Sequence, residues 1–125
     1  MLNLYQEILM DHYRNPRNKR LLDQYDFSAE QRNSSCGDEV VFMGIMRNGM
    51  LTEVVFDGKG CVISQATASL LSEYAKNKSI DEILALDKDH IIAMIGMPLG
   101  PVRLQCGLLP LMALQKGIME YRAKP

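Results

Sequence analysis

Only three cysteines occur in this chain, and each is expected where a loop gives way to a regular element. Cys36 follows the polar run Arg32-Asn33-Ser34-Ser35 and leads into Gly37-Asp38. Cys61 follows Gly58-Lys59-Gly60, and Cys106 follows Pro101-Val102-Arg103-Leu104-Gln105. A cysteine kept as core filler sits mid-strand or mid-helix among apolar neighbours. Three thiols at junctions instead imply ligands gathered around one metal ion, with Asp38 as a fourth, oxygen donor. Their wide separations are not those of a zinc finger. The requirement therefore falls on the whole chain: the fold must bring positions 36, 38, 61 and 106 to one point.

A chain of 125 residues suits a single domain, 1–125, whose core needs no covalent staple. The net charge of −1 argues against nucleic acid as a partner. No apolar run reaches the ~18 residues of a membrane span, and the opening Met1-Leu2-Asn3-Leu4-Tyr5-Gln6-Glu7 is mixed and periodic, unlike a signal peptide. These features predict a protein of the reducing cytoplasm, where an odd number of cysteines favours metal or thiol chemistry over disulfides. Arg14, Arg17, Lys19 and Arg20 form the one local excess of charge; it reads as a solvated loop before it reads as a docking patch for an acidic protein.

Apolar spacing predicts a helix over 2–13, ended by Asn15-Pro16, and then a polar, irregular stretch over 14–35 with a short strand near Phe27. Two strands, Glu39–Arg47 and Met50–Asp57, flank the hairpin signal Asn48-Gly49. Helices are expected over 62–76, from a Ser79-x-x-Glu82 capping box to about Leu86, over 88–95, and from Cys106 to Tyr121. In the last of these Pro110 is tolerable only within the first turn. Strands followed by helices give an α+β fold, a small antiparallel sheet packed against several helices. Val40, Val41, Phe42, Met43, Ile45 and Met46 leave both faces of the first hairpin strand apolar. The expectation is that Val41, Met43 and Ile45 meet a partner or a second copy in a homodimer.

At the cysteines the chain resembles the U-type iron–sulfur assembly proteins: IscU, the N-terminal domain of NifU, and SufU. The resemblance runs from His12-Tyr13-Arg14-Asn15-Pro16-Arg17-Asn18 through Cys36-Gly37-Asp38 and Gly58-Lys59-Gly60-Cys61-Val62-Ile63-Ser64-Gln65-Ala66 to Leu99-Gly100-Pro101-Val102-Arg103-Leu104-Gln105-Cys106. It implies a scaffold that builds a [2Fe–2S] cluster with sulfur from a cysteine desulfurase and passes it to recipient apo-proteins. The alternative it implies is a SufU-type, zinc-dependent sulfurtransferase. Cys106 and Cys36 are, by this resemblance, the persulfide acceptors, and Leu99, Pro101, Val102 and Arg103 match the segment that an ATP-driven chaperone recognises in IscU. The chain departs from the family at Gln105, where IscU-type members carry histidine. It also lacks the SufU-type insertion before the last cysteine, and Gly100 replaces a proline.

Three thiolates and a carboxylate suit either tetrahedral zinc or an iron–sulfur cluster. Asp38 holds iron less firmly than a fourth thiolate would, which suits a protein that must give its cluster away. Cys61 and Cys106, if each opens a helix, would have their thiolates favoured by the positive end of the dipole. Gly58-Lys59-Gly60 is a fragment of a phosphate loop without the rest of the pattern. His12 is expected to be a packing or surface residue, His90 a capping or solvated one, and the nine methionines core filler.

Overall fold

The computed structural model describes residues 4–124. Helix α1 (Leu4–Arg14) leads through an irregular segment to three strands, β1 (Phe27–Asn33), β2 (Asp38–Arg47) and β3 (Met50–Lys59). Four helices follow: α2 (Val62–Ala75), α3 (Ile80–Leu84), α4 (Lys88–Ile95) and α5 (Pro101–Ala123). The expected start of α1 at Leu2 lies outside the described residues. Among those described, no helix is long and apolar enough to cross a membrane.

The strands form one antiparallel sheet in the order β1-β2-β3. Asn48 and Gly49 both take positive φ, 55° and 77°, as a two-residue hairpin turn that follows the sheet twist requires. Alternation then sorts β2 into two faces. Val40, Phe42 and Met46 are buried in the core, whereas Val41, Met43 and Ile45 on the opposite face stay half-buried and outside the core cluster. On that outer face Met43 pairs across the strands with Val55, which is itself fully buried.

Strand β1 is longer than the short strand expected near Phe27. It pairs with β2 along its whole length, from Phe27 opposite Gly44 to Asn33 opposite Asp38. In Phe27-Ser28-Ala29-Glu30 the inward residues alternate with polar ones, but a single alanine makes a weak apolar signal against the polar Gln31-Arg32-Asn33 that follows. Helix α5 lies over β1 and β2, and α2 lies beside β3. Close approach at this contact depends on Gly117, since a Cβ there would come within 2.4 Å of the Phe27 ring. Leu71, Ile83, Ile91, Ile95, Leu114 and Ile118 are fully buried among the helices. At roughly 1.5–3 kcal/mol each, such side chains supply most of what holds the helices to the sheet.

The segment His12–Asn18 acts as a tether between α1 and α2. His12 is buried, with Nδ1 2.7 Å from the Ser69 hydroxyl, and the Arg17 backbone N–H donates to the same hydroxyl at 2.9 Å. Asn18 donates from its side chain to Ser72 at 3.0 Å. These bonds satisfy serines that are otherwise fully buried in α2. Of the basic cluster, Arg17 is paired with Asp11 at 2.6 Å and Arg20 is paired with Glu53. Ser79 caps α3 by accepting from the Glu82 N–H, and Asp87 with His90 forms a capping box on α4, as expected for His90.

Helix α5 overturns two expectations. It starts at Pro101, with Gly100 as an extended N-cap, so Cys106 does not open it but lies in its second turn. Proline at the first helical position gives up no hydrogen bond and fixes φ for the helix, which explains the earlier start. Pro110 then falls in the interior rather than in the first turn. Its missing N–H removes the donor for the carbonyl four residues back, which belongs to Cys106.

Candidate metal centre

Asp38 and Cys61 form one half of the site. Asp38 opens β2 and is 1% exposed. Its Oδ1 accepts the Cys61 backbone N–H at 2.7 Å, and its Oδ2 lies 3.4 Å from the Cys61 sulfur. Cys61 is the N-cap of α2, and its sulfur accepts from the Ser64 N–H at 3.4 Å, so the expectation that Cys61 opens a helix holds. Gly60 makes this approach possible: its φ is 140°, and a Cβ on it would sit 2.1 Å from Asp38 Oδ1. Only glycine serves at that point, on grounds of both backbone angle and space.

Cys36 and Cys106 form the other half. Cys36 lies in the turn between β1 and β2, where its N–H donates to the Asn33 carbonyl, and Gly37 with φ 71° turns the chain into Asp38. Its sulfur is 3.4 Å from that of Cys106, and both are free thiols. One ligand atom each of Cys36, Asp38 and Cys106 lies within 4.8 Å of the others, and Cys61 joins them through Asp38. Donors about a tetrahedral zinc are separated by ~3.8 Å for Zn–S bonds near ~2.3 Å. Cys36, Asp38 and Cys106 are therefore spaced as ligands of a single ion would be, Cys61 stands beside them through its contact with Asp38, and these sulfur and oxygen donors suit zinc or iron.

Burial pushes the Cys106 thiol well above its ordinary range, and hydrogen bonding with Asp38 and Cys36, together with the nearby Cys61, pushes it the same way. The expectation of a dipole-activated Cys106 fails with its position, because the dipole acts at the first turn and Cys106 is beyond it. A cation held by these residues would supply the positive charge that favours the Cys106 thiolate.

An apolar cavity of about 600 Å³ opens onto the cysteines. Leu9 and Met10 of α1, Ile63 of α2, and Met97, Val102 and Arg103 line it beside Cys36, Cys61 and Cys106. In the Leu99–Arg103 segment, Leu99 is half-buried against the core, while Pro101, Val102 and Arg103 form an exposed first turn of α5. Gln105 is exposed and lines a different groove with Arg32, Asn33 and Leu108. Histidine takes no part in the site: His12 is committed to Ser69 and Glu73, and His90 to Asp87. What the sequence did not disclose is the role of Gly60 as the seat of the Asp38 carboxylate; its signal was a glycine directly before a candidate ligand.

The family model described as the NifU-like N-terminal domain matches residues 4–125. The chain belongs to this family. It is 31% identical to the zinc-dependent sulfurtransferase SufU of Bacillus subtilis, over 94% of this chain and 90% of that protein. It is 34% identical to the iron–sulfur cluster assembly scaffold protein IscU of Escherichia coli K12, over 96% of this chain and 95% of the relative. Among solved structures, an iron–sulfur cluster assembly scaffold protein for the SUF system from Fervidobacterium islandicum superposes with a TM-score of 0.78 at 26% identity, covering 90% of this chain and 94% of that one. In this NifU-like chain the four residues described above come from the β1–β2 turn, the start of β2, the cap of α2 and the second turn of α5.

Proposed function

We propose that this NifU-like protein is a scaffold on which a [2Fe–2S] cluster is assembled and from which it is passed to apo-proteins. Cys36, Asp38, Cys61 and Cys106 hold the cargo. The observation that carries this reading is a buried carboxylate seated among three thiols, anchored by a backbone N–H rather than by a cation. A carboxylate binds iron less firmly than a thiolate, so Asp38 is the ligand at which the cargo is let go. Iron and zinc both suit these donors, and zinc in a purified sample does not distinguish them. Three free thiols fit a reducing compartment, and we assign the protein to the cytoplasm.

Sulfur reaches the site from a cysteine desulfurase. A thiolate of Cys36 or Cys106 attacks the outer sulfur of the desulfurase persulfide. The S–S bond to the donor cysteine breaks, and that cysteine leaves as a thiolate, so no oxidant is needed. Cys36 is the less buried of the two acceptors, while Cys106 has to lose its proton first. Pro101, Val102 and Arg103, with Leu99 behind them, form the partner-binding segment, open to a recipient or an ATP-driven chaperone.

A zinc-dependent sulfurtransferase is the second reading, favoured by one observation: Gln105 is turned away from the centre, so no side chain next to Cys106 assists ligand exchange. One experiment separates the two. The protein is purified anaerobically and given iron, cysteine and a desulfurase. A [2Fe–2S] absorbance that moves to an apo-ferredoxin supports the scaffold. Faster desulfurase turnover with zinc retained and no cluster formed replaces it with the sulfurtransferase. Asp38→Ala is expected to keep cluster binding and to slow transfer; transfer at the parental rate contradicts the role given to Asp38.

A further inference from the structure

A second cavity, of about 320 Å³, is lined by Gly58 and Gly60 and uses none of the four proposed ligands. Its walls come from the end of α1 (Tyr13, Pro16), from the segment beside β3 (Lys19), from the end of β3 (Phe56, Lys59), and from α2 (Gln65). Two features of this wall ask for a ligand. Lys19 and Lys59 both line it, and among the described residues no aspartate or glutamate does. Gln65 is 6% exposed, and its amide nitrogen is spent on the Glu39 carbonyl and the Ser64 hydroxyl, yet its Oε1 has no hydrogen-bond partner among the described residues. A buried acceptor left unsatisfied is costly, and it is met by a donor.

The cations are held in place by the backbone. Residues 18–20 run beside β3, with the Phe56 N–H donating to the Asn18 carbonyl at 3.0 Å and the Arg20 N–H to the Phe56 carbonyl at 2.9 Å. That pairing fixes Lys19 across from Phe56, three residues before Lys59. The other arginines of the basic cluster that the structure pairs, Arg17 and Arg20, are turned to Asp11 and Glu53 instead. Among the described residues, the carboxylate paired with Lys59 is a distant one, Glu39 Oε2 at 4.0 Å. Pro16, half-buried, adds an apolar surface suited to a short carbon chain, with the fully buried Phe56 behind the wall.

We propose that this cavity is a binding site for a small carboxylic acid bearing a hydroxyl or amino group beside the acid. The carboxylate meets Lys19 and Lys59, the neighbouring O–H or N–H donates to Gln65 Oε1, and the carbon chain lies on Pro16. The fragment Gly58-Lys59-Gly60 thus carries a cation to this cavity while its last glycine seats Asp38. The site stands independently of the cluster-scaffold reading, since it uses no cysteine.

The test is a titration of the purified full chain, in the metal state in which it is isolated, with succinate, malate and aspartate. These probes share two carboxylates and differ by hydrogen, hydroxyl or ammonium at one carbon. Backbone amide shifts at Phe56, Gly58 and Gly60 are followed, with zinc content measured throughout. Malate or aspartate is expected to bind about tenfold more tightly than succinate, and the stronger of the two tells a hydroxy acid from an amino acid. Lys59→Glu or Lys19→Glu, both at exposed positions, is expected to weaken that binding at least about tenfold, while Lys116→Glu on α5 leaves it unchanged. The proposal is overturned by the absence of shifts at about 10 mM ligand, by equal binding of succinate, or by shifts that appear only as zinc is lost. It is also overturned if small acids leave Lys19 and Lys59 open to acylation while an acidic protein partner protects them, which makes the cavity a protein-docking patch.

Discussion

Cys61 and Cys106 face the same centre, one from the cap of α2 and the other from the second turn of α5, but they stand in very different surroundings. Around Cys61 the backbone N–H is bonded to a buried carboxylate, the sulfur is tied to the Ser64 N–H, and the helix behind it is buried along most of its length. Around Cys106 the preceding turn is exposed at Pro101, Val102, Arg103 and Gln105, and the helix loses a hydrogen bond at Cys106 itself because Pro110 cannot supply it. One half of the proposed centre is tied together by hydrogen bonds of its own. The other rests on an exposed turn and a helix short of one bond. A site that must hold cargo and then release it gains from that division, because opening one side leaves the other ready to bind again.

The comparison breaks most completely at Gly60. Gly60→Val places a branched side chain into the Asp38 carboxylate at a φ that valine avoids. The expected outcome is a loss of about 3 kcal/mol in urea denaturation together with loss of stoichiometric metal binding; a variant that keeps both shows that the Asp38–Cys61 half is not prebuilt. Pro110→Ala tests the yielding half. Restoring the Cys106 hydrogen bond contributes up to about 3 kcal/mol, offset by the smaller side chain at a buried position, for a net gain of about 1 kcal/mol. Cys106 should then react more slowly with a thiol reagent while Cys36 is unchanged. A faster Cys106, or no change in stability, removes the role given to the proline.

The smallest effect concerns the tether behind the rigid half. Burial is the main cause that lowers the pKa of His12 from its ordinary value of 6.5, with the Arg17 charge acting in the same direction and Glu73 and Asp11 against it. The folded protein therefore binds this proton less readily than the unfolded chain does. The stabilisation is fully present above about pH 6.5 and is lost as the pH falls below it. The urea midpoint should drop between pH 7.5 and pH 5.5, and His12→Gln, which keeps a hydrogen-bonding group toward Ser69, should drop less. Equal slopes for the two proteins contradict the assignment.

The hairpin was legible because Asn48-Gly49 is a local signal and β2 alternates strongly. The four candidate ligands were legible because cysteine is scarce and each stood beside glycine or at an element's edge. Strand β1 was harder to see, since only Phe27 and Ala29 mark its inner face and its far end, Gln31-Arg32-Asn33, is polar. The start of α5 was misplaced because Leu99-Gly100-Pro101 looked like a loop, when proline at the first helical position begins a helix as readily as it ends one. That error carried Cys106 to a helix end it does not occupy. The second cavity escaped notice because it is assembled from four separate segments, and an unsatisfied amide oxygen has no sequence signature.

The account depends on Cys36, Asp38, Cys61 and Cys106 binding one metal ion together, and X-ray absorption at the zinc edge of the zinc-loaded protein measures that most directly. The expected spectrum has three sulfur neighbours near ~2.3 Å and one oxygen near ~2.0 Å, with one sulfur replaced by a lighter atom in each single Cys→Ser variant. Two or fewer sulfurs in the parent protein, or a spectrum unchanged by any one of the three substitutions, would contradict it.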